Sequence, residues 1–312
     1  MRLLRFLPDE THFDFVGKRL IAFALSAALF VLTLGSLGVQ GLNLGIDFAG
    51  GILIEAKSGQ DIDVGALRAT LGSKDLGGVE LQQFGGPRDI LIRVQQQEGG
   101  EAANRAAIET VRGTLGPGWE YRRVELVGPK VGGELLRDGV IATVLAILGI
   151  TAYVAFRFEW QFGVAALIAT AHDVVCTLGL FTLFQLEFDL TAVAALLTLA
   201  GYSINDTVVV FDRIRETMRR QKSWDMRMLI NESVNQTLSR TILTSGSTLL
   251  AILPLLMFGG SALFNFTLAL TFGILLGTYS SVYVAAALLL YMKPIRPGRP
   301  VAGEAATAGE GR

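Results

Sequence analysis

Residues Gly201–Arg213, GYSINDTVVVFDR, decide the fold of this chain, because they end an apolar run that begins near Leu190 and is long enough to cross a bilayer. Asn205 and Asp206 lie well inside this run. A carboxylate near the middle of a membrane costs about 2.5–3.5 kcal/mol on insertion scales, so such a residue usually faces a bundle interior and often marks an ion or proton path. The stretch therefore predicts a transmembrane helix that carries a buried acidic group.

The polar residues of this helix fall on about a third of its circumference when they are placed at 100° per residue. The remaining face consists of Ala, Leu, Val and Ile. The polar stripe predicts contact with partner helices. A polar zipper that only holds helices together is the alternative, although amides or hydroxyls would serve that purpose without a charge. The stripe comprises Thr191, Thr198, Tyr202, Asn205, Asp206 and Val209.

The composition is typical of a polytopic membrane protein. Hydrophobic residues make up 51% of the chain and charged residues 18%, and the apolar residues come in long blocks. The net charge is −1, and no cluster of Lys and Arg interleaved with aromatic residues indicates a nucleic-acid partner. Cys176 is the only cysteine and lies in an apolar block. We therefore predict no disulfide framework, no thiolate metal cage and no redox chemistry. We also expect no metal site, no cofactor and no enzymatic activity.

Six apolar blocks are long enough to span a membrane. The first, Leu20–Val39, follows Lys18 and Arg19 and is longer than the core of a usual secretory signal, which favours an uncleaved anchor over a cleaved leader. The other blocks are Val140–Phe156, Phe162–Phe184, Leu190–Phe211, Thr241–Phe258 and Ala262–Met292. The sequence therefore predicts six transmembrane helices.

Basic residues predict the orientation of these helices. Arg157, the segment Arg213–Arg227 and the tail segment Lys293–Arg299 fall on one side, whereas Glu187 and Asp189 fall on the other. Because positive residues favour the cytoplasmic side, both termini should be cytoplasmic. The predicted organisation is a cytoplasmic N-terminus at 1–19, a first membrane helix at 20–39, a far-side domain at 40–138, a five-helix bundle at 139–292 with a basic cytoplasmic loop at about 212–240, and a disordered tail at 293–312. Apolar positions between Met226 and Leu238 predict that part of this loop is an amphipathic stretch along the membrane.

Residues 40–138 have a soluble composition with alternating strand and helix patterns. The order βαββαβ predicts an α+β ferredoxin-like domain between the first two membrane helices. It contains neither histidine nor cysteine, so a binding or mechanical module is favoured over catalysis by metal or thiol. The predicted elements are strand Ile52–Ala56, helix Val64–Leu71, strand Val79–Phe84, strand Ile90–Val94, helix Glu101–Leu115 and strand Glu120–Val127.

A proton site requires a carboxylate, a cation that favours its ionised form, and hydroxyls or water. Asp206 and Arg240 supply the charged groups. The alternative for Arg240, which lies at the start of its helix, is that its side chain extends to the lipid headgroups and has no part in a proton site. Asp173, which lies beside His172, has two equally favoured roles at this stage: a member of a proton relay, or a polar residue that only helps the helices to pack. We expect polar faces of three helices to converge, and Gly273 and Gly277 on the last span indicate close helix contact. The two further faces are Arg240, Thr244, Ser247 and Ala251 on the fifth span, and Thr170, Asp173 and Thr177 on the third.

Three stretches together carry a resemblance that covers nearly the whole chain: GIDFAGG at Gly45–Gly51, the Gly201–Arg213 stretch, and NQTLSRT at Asn235–Thr241. The first lacks the Lys-Ser/Thr of a phosphate-binding loop and is favoured as a tight turn between helix and strand. With these motifs the chain resembles the SecD/SecF family of bacterial protein translocase subunits, in particular its SecF members, within the resistance-nodulation-division (RND) superfamily. The motif residues are Gly45, Asp47, Gly50, Gly51, Gly201, Asp212 and Arg213.

The resemblance implies a subunit of the Sec machinery that works with SecD and uses the proton motive force to promote late stages of preprotein export. It implies association with the SecYEG channel, with YajC and YidC, with unfolded preprotein and with membrane lipids, in a bacterial inner membrane with the large domain in the periplasm. It assigns Asp206 and Arg240 to the proton pathway, to which the polar stripe adds Asn205 and Tyr202 and the polar face of the third span adds Asp173.

Two other classes of protein remain open at this stage. One is half of a proton-coupled RND-type exporter of small molecules or lipids, since six spans with an intramembrane Asp206 would serve both functions. Such exporters usually carry two such halves and larger extramembrane domains. The other is a scaffold that only holds SecD, which would require neither Asp206 nor Arg240.

The predicted orientation can be tested with single cysteines placed at Gln60 and at Lys222 in a Cys176→Ala background. In intact spheroplasts a membrane-impermeant maleimide should label Gln60→Cys and leave Lys222→Cys unlabelled, because only the 40–138 domain faces outward. The opposite labelling pattern would reverse the orientation.

Overall fold

The computed structural model describes residues 11–97, 99–220 and 225–292. The first ten residues and the predicted disordered tail after Met292 lie outside the described residues. In chain order the elements are α1 (Arg19–Gln40), β1 (Asn43–Leu44), α2 (Ile46–Ala49), β2 (Gly51–Ser58), α3 (Val64–Gly72), β3 (Val79–Gln83), β4 (Asp89–Val94), α4 (Gly100–Leu115), β5 (Trp119–Val127), α5 (Pro129–Arg157), α6 (Trp160–Leu183), β6 (Glu187–Phe188), α7 (Leu190–Arg220), α8 (Met226–Phe258) and α9 (Ser261–Ser280). A π-helical turn at Ser281–Ala285 continues α9 into the short helix Ala286–Leu288 and the 3-10 turn Leu289–Tyr291.

Six helices in the described part of the chain are long and apolar enough to cross a membrane, as predicted. They are α1, α5, α6, α7, α8 and α9 with its continuation. Helices α1, α5 and α8 leave many large apolar side chains exposed, among them Leu20, Leu145 and Leu250. A soluble protein would bury such surfaces, whereas a lipid environment accommodates them.

Helix α7 is the centre of the bundle, where it packs against α5, α6, α8 and α9. Apolar clusters surround both ends of its membrane segment. One cluster contains Phe181 and Leu199, and the other contains Phe162, Phe211 and Ile214. The residues between these clusters on α7, Ser203–Thr207, are largely polar. The fold thus places a polar layer between two apolar layers.

Close helix contact at the predicted glycines of α9 is confirmed. A Cβ atom built on Gly273 would lie 2.5 Å from Leu199 of α7, and one on Gly277 would lie 3.2 Å from the Cβ of Ser203. These glycines allow α7 and α9 to approach side by side, which brings side chains of α9 into the polar layer.

In the described part of the segment at about 212–240, which is predicted as a basic loop, every residue except Asp225 belongs to one of two long helices. Helix α7 continues to Arg220 and α8 begins at Met226, and the hydroxyl of Ser233 donates to Thr217 at 3.2 Å between them. Leu229, Ile230 and Val234 are buried in the same cluster as Phe211. The amphipathic stretch is therefore not a separate membrane-surface segment, because its apolar face packs against the extension of α7.

The segment between α1 and α5 contains β2, α3, β3, β4, α4 and β5, in the predicted order and close to the predicted bounds. The strands form a four-stranded antiparallel sheet of order β3-β4-β2-β5. Ile52, Ile54, Ile90 and Ile92 on one face of the sheet are fully buried against α3 and α4. This domain therefore has an apolar core that is separate from the helical bundle.

A fragment spanning residues 40–138, expressed without the membrane helices, should fold into a mixed α/β domain visible by circular dichroism. Ile54→Ala should lower its free energy of unfolding by about 2–5 kcal/mol, because Ile54 is fully buried in the core. Gln82→Ala, at an exposed position of β3, is the control and should change it by about 0.5 kcal/mol or less. A spectrum of coil or of helix alone would contradict an independent core.

Candidate functional site in the membrane bundle

Asp206 lies in the polar layer with 2% of its surface exposed. Its Oδ2 accepts a hydrogen bond from Ser245 Oγ of α8 at 3.3 Å. Ser245 also shares a hydrogen bond of 2.7 Å with Thr278 Oγ1 of α9. The carboxyl group is therefore held by a chain of hydroxyls that joins three helices. These are group types that can pass a proton.

The structure divides the predicted polar stripe of α7 into two parts. Asp206 is buried, whereas Thr198 and Asn205 are exposed on the surface of this chain. Tyr202 is half-buried, and its hydroxyl donates to Thr248 Oγ1 of α8 at 3.3 Å. The buried polar residues next to Asp206 are Ser203 and Thr207, which lie outside the predicted stripe. Packing of α6 and α9 against this side of α7 decides which polar residues are enclosed.

Arg240 does not form an ion pair with Asp206 in the described part of the chain, where its side chain is exposed on α8. The face of α8 predicted from Arg240 is largely exposed too, at Ser247 and Ala251. The buried hydroxyls of α8 are those of Ser233, Thr237, Thr241 and Ser245, which share a neighbouring face. The predicted convergence of polar faces thus holds for Asp206, Thr244 and Ser245, while the charge of Arg240 acts on Asp206 without forming an ion pair.

Asp173 of α6 joins the polar layer, and Thr170 and Thr177 are buried with it, as their shared face predicts. Its Oδ2 accepts hydrogen bonds from Ser203 Oγ at 2.5 Å and from Ser280 Oγ at 2.6 Å. Sequence reasoning missed Ser280 and Thr278, because the last span was interpreted only through its glycines, and it missed Ser203, which lies outside the predicted stripe of α7. The signal that could have found them is the run of hydroxyl residues on the same helix, Thr267, Thr271, Thr278, Ser280 and Ser281.

The Gly45–Gly51 motif joins the α/β domain to the start of α7. Asp47 Oδ2 accepts a hydrogen bond of 3.0 Å from the backbone N–H of Leu190, the first residue of α7. The N–H of Gly45 donates to Phe188 O at 2.8 Å, and β1 pairs with β6. A carboxylate at a helix N-terminus satisfies a free N–H group and interacts favourably with the helix dipole. The motif therefore holds the N-terminus of the helix that carries Asp206.

The glycines of this motif are required by close approach and by backbone conformation. A Cβ on Gly45 would lie 2.9 Å from a carboxylate oxygen of Glu187. Gly50 has φ 74°, and Gly51 has φ 129°, where a Cβ would lie 2.8 Å from Val94 O. The motif thus contains α2 and a tight connection from it to β2, where the sequence predicts a single tight turn that joins the membrane helix to a strand.

The remaining motif residues lie on α7 and α8, away from Asp206. Gly201 and Asp212 are exposed, and no atom lies within 4 Å of a Cβ built on Gly201. Arg213 donates to Gln236 Oε1 of α8 at 2.6 Å. Asn235 accepts from the N–H of Phe13 and donates to its carbonyl, both at 2.9 Å, which ties the segment before α1 to α8.

An ion pair between Arg93 of β4 and Glu187 of β6 forms a second link between the α/β domain and the bundle. The side chains are only 13% and 16% exposed. Burial raises the pKa of Glu187 above its usual range and the charge of Asp189 adds to this effect, whereas Arg93 opposes both. The negative charge of the buried Glu187 carboxylate is therefore compensated by the positive charge of Arg93.

No group of three or more His, Cys, Asp or Glu side chains in the described ranges is arranged to hold a metal ion.

Comparison with known proteins places these features in a family. A family model described as "Protein export membrane protein SecD/SecF, C-terminal" matches residues 107–294, and one described as "SecD/SecF GG Motif" matches residues 35–62. The chain is 47% identical over 301 residues to the protein translocase subunit SecF of Magnetococcus marinus, covering 95% of this chain and 96% of that protein. It is 43% identical over 304 residues to SecF of Cereibacter sphaeroides, covering 95% and 94%.

Among solved structures, the chain is similar to SecDF, a translocon-associated membrane protein from Thermus, with a TM-score of 0.83 and 38% identity. The match covers 92% of this chain and 39% of that protein, so this chain spans well under half of its length. A structure of SecDF in a super-membrane-facing form matches with a TM-score of 0.68.

The six apolar helices and these relatives define a multi-pass α-helical membrane protein with an α/β domain between its first two spans. The chain belongs to the SecD/SecF family of protein export membrane proteins.

Arg93→Gln should weaken the link between the α/β domain and the bundle in a pH-dependent way. At pH 8 it leaves a buried carboxylate without compensation, so the free energy of opening at Gly45 should fall by about 1–3 kcal/mol, measured by hydrogen exchange of its N–H. The loss should shrink at pH 5, because Glu187, whose pKa is raised, then takes up a proton and needs no partner. Arg88→Gln removes an exposed ion pair with Asp61 and should have little effect at either pH. Equal losses at both pH values would contradict this account.

Proposed function

We propose that this chain is a subunit of the Sec preprotein translocation machinery that, with SecD, uses the proton motive force to promote late stages of protein export across the bacterial inner membrane. The observation that carries the proposal is the position of Asp206 in the polar layer of a helix whose N-terminus is tied to the α/β domain through Asp47. A change of charge at Asp206 can thus act on a helix that the extramembrane domain holds directly. The names of the SecF relatives support the translocation role.

The energy of a proton is of the right size for this coupling. One elementary charge that moves down the membrane potential releases about 2.3 kcal/mol per 100 mV. Two arrangements of a domain that interconvert in a protein typically differ by a few kcal/mol. Desolvation of Asp206 disfavours its ionised form, while the hydrogen bond from Ser245 favours it. Protonation and deprotonation of one buried carboxyl group can therefore shift a domain equilibrium.

SecD is the partner that we propose for the exposed polar surface formed by Asn205 of α7 with Arg240 and Ser247 of α8. These side chains lie within apolar spans but are exposed in this chain. Polar and charged residues at membrane depth usually face protein or water rather than lipid. Arg240, with Tyr202 and Asn205 nearby on α7, would then join the proton pathway at the contact with SecD. This chain matches 39% of the Thermus SecDF chain, so the remaining part of that chain, which is more than half of it, is long enough to contain a second subunit-sized part.

We further propose the arrangement of the domains in the cell. Both termini are cytoplasmic, the five-helix bundle covers 139–292, and residues 40–138 form a ferredoxin-like domain in the periplasm. The strand order β3-β4-β2-β5 supports this type of domain. The SecYEG channel, YajC, YidC and unfolded preprotein are the further partners in this proposal.

An RND-type exporter of small molecules or lipids is the second candidate, because Asp206 would serve it as well. Purification from mild detergent distinguishes the two functions. SecD and SecYEG in the purified complex support translocation, whereas a periplasmic adaptor and an outer-membrane duct support export.

Asp206→Asn should abolish the gradient-dependent increment of preprotein export into inverted membrane vesicles. Asparagine keeps the size and hydrogen bonding of Asp206 but cannot titrate, so association with SecD and the ATP-driven stage should persist.

The controls separate titration from packing. Arg240→Met should fail in the same assay, whereas Asp212→Asn, at an exposed position near the end of α7, should keep most of the increment. If Asp206→Asn vesicles retain the full increment, Asp206 only holds helices together and the proton-driven function is wrong.

A further inference from the structure

A second buried acidic group lies in the polar layer, and the hydrogen bonds of Asp206 do not include it. Asp173 of α6 is 0% exposed. Its Oδ1 is 3.0 Å from His172 Nδ1. Its Oδ2 accepts from Ser203 of α7 and Ser280 of α9, so the two carboxylate oxygens have separate partners. The carboxyl group therefore connects three membrane helices through one oxygen and contacts an imidazole through the other.

The charge of Asp173 can be balanced only locally. Among the described residues, His172 is the one basic side chain within ion-pair distance, and neither Lys nor Arg lies there. His172 itself is only 8% exposed, and its Nε2 has no hydrogen-bond partner in the described ranges. An isolated carboxylate in such surroundings is costly, so the pair is most stable when it is neutral as a whole.

Neutrality requires one proton shared by the pair. This proton is additional to the N–H of the neutral imidazole: it lies either on Asp173 Oδ1, beside neutral His172, or on His172, which is then an imidazolium beside a carboxylate. Loss of this proton leaves a net charge of −1 on the pair. In all three states Oδ2 can accept from Ser203 and Ser280, so the helices remain connected while the proton is bound and released.

We propose that His172 and Asp173 form a second proton-binding site of this chain, which takes up and releases one proton during the transport cycle. Ser203 lies one helical turn before Asp206 on α7, so it connects the pair to the helix that carries the first site. The proposal extends the proton pathway proposed above, but binding of a proton by the pair does not depend on Asp206.

The other titratable groups around the pair are few. Cys176 lies one turn further along α6, and α9 with its continuation contributes Tyr279 and Tyr283. Tyr279 already donates its hydroxyl proton to Ala22 O of α1 at 2.7 Å. Helix α1 has no titratable side chain from Leu20 to Gln40, and the ionisable side chains described on α5 lie towards its ends at Glu134–Asp138 and Tyr153–Arg157. None of these groups replaces His172 as the partner of Asp173.

Infrared difference spectroscopy on the complex with SecD, reconstituted in lipid and titrated between about pH 5 and 9, tests the proposal. A proton on Asp173 gives the carbonyl band of a protonated carboxyl group, and a proton on His172 gives an imidazolium ring band. Selective isotope labelling of histidine in this chain, with His12→Gln, isolates the second signal. We expect a titrating signal of either kind that persists in Asp206→Asn and disappears in Asp173→Asn. Thr177→Val is the matched control, because it removes a buried hydroxyl of the same helix that binds only the backbone oxygen of Asp173.

Each outcome decides between a proton-binding pair and a static ion pair. If the spectra of the parent and of Asp173→Asn titrate identically, the pair does not exchange a proton and the proposal is wrong. If Asp173→Asn does not assemble with SecD, Ser280→Ala is measured in its place. This substitution removes one hydrogen-bond donor from Oδ2, so it should shift the carboxyl or carboxylate stretching frequency of Asp173. If the titrating bands do not shift, the proposal is wrong. If the parent protein shows the titrating signal of the His172–Asp173 pair but none from Asp206, the proton pathway through Asp206 is wrong and the second proton-binding site is supported.

The export assay provides a functional readout on the same variants. Asp173→Asn should lose most of the gradient-dependent increment, whereas Thr177→Val should keep it. An unchanged increment in Asp173→Asn would show that the pair takes no part in the transport cycle.

Discussion

The cost of burying carboxyl groups among apolar helices is the constraint on which the rest of this bundle depends. Asp206 and Asp173 lie between two apolar clusters, and no Lys or Arg of the described residues forms an ion pair with either. Hydroxyl groups from α7, α8 and α9 supply their hydrogen bonds instead. Because hydroxyl side chains are short, these helices must pack closely, and Gly273 and Gly277 provide the required space.

Close packing around α7 has a mechanical consequence for the extramembrane domain. The N-terminus of α7 is held by Asp47, and β6 just before it pairs with β1. Gly132 of α5 lies against the same motif, since a Cβ there would be 2.6 Å from Phe48 O. Three neighbouring segments thus meet at one joint between the sheet and the bundle. A helix that is central to the bundle and attached to the sheet is well placed to transmit a shift between them.

The exposed surface of the helical bundle has an apolar part and a polar part. Leu145 of α5 and Leu250 of α8 are exposed apolar side chains that suit lipid. Thr198, Asn205 and Arg240 are polar side chains that are exposed within apolar helices. Such groups are poor lipid contacts, so this part of the surface is best satisfied by another polypeptide or by water.

Much of the architecture could be predicted from the sequence because it rests on local patterns. Apolar blocks with the length of a bilayer identify the six membrane helices, and alternation of apolar residues identifies strands such as Asp89–Val94. The close approach at Gly277 could also be predicted, because only small residues permit it. The helical pattern at Met226–Leu238 was predicted, but its packing against α7 was not, because a pattern of apolar residues does not say whether a membrane surface or another helix covers it.

The sequence by itself determined that Asp206 is an ionisable group inside a membrane helix and that Asp173 lies on a polar face of another, because depth in an apolar run and helical spacing are properties of one segment. Only the tertiary structure decided the partners of these groups. The orientation of α7 and α8 about their axes encloses Ser203 and Ser245 and leaves Asn205 and Arg240 exposed. That orientation is set by packing with α6 and α9, which involves residues far apart in the chain and has no periodic signal in any single helix.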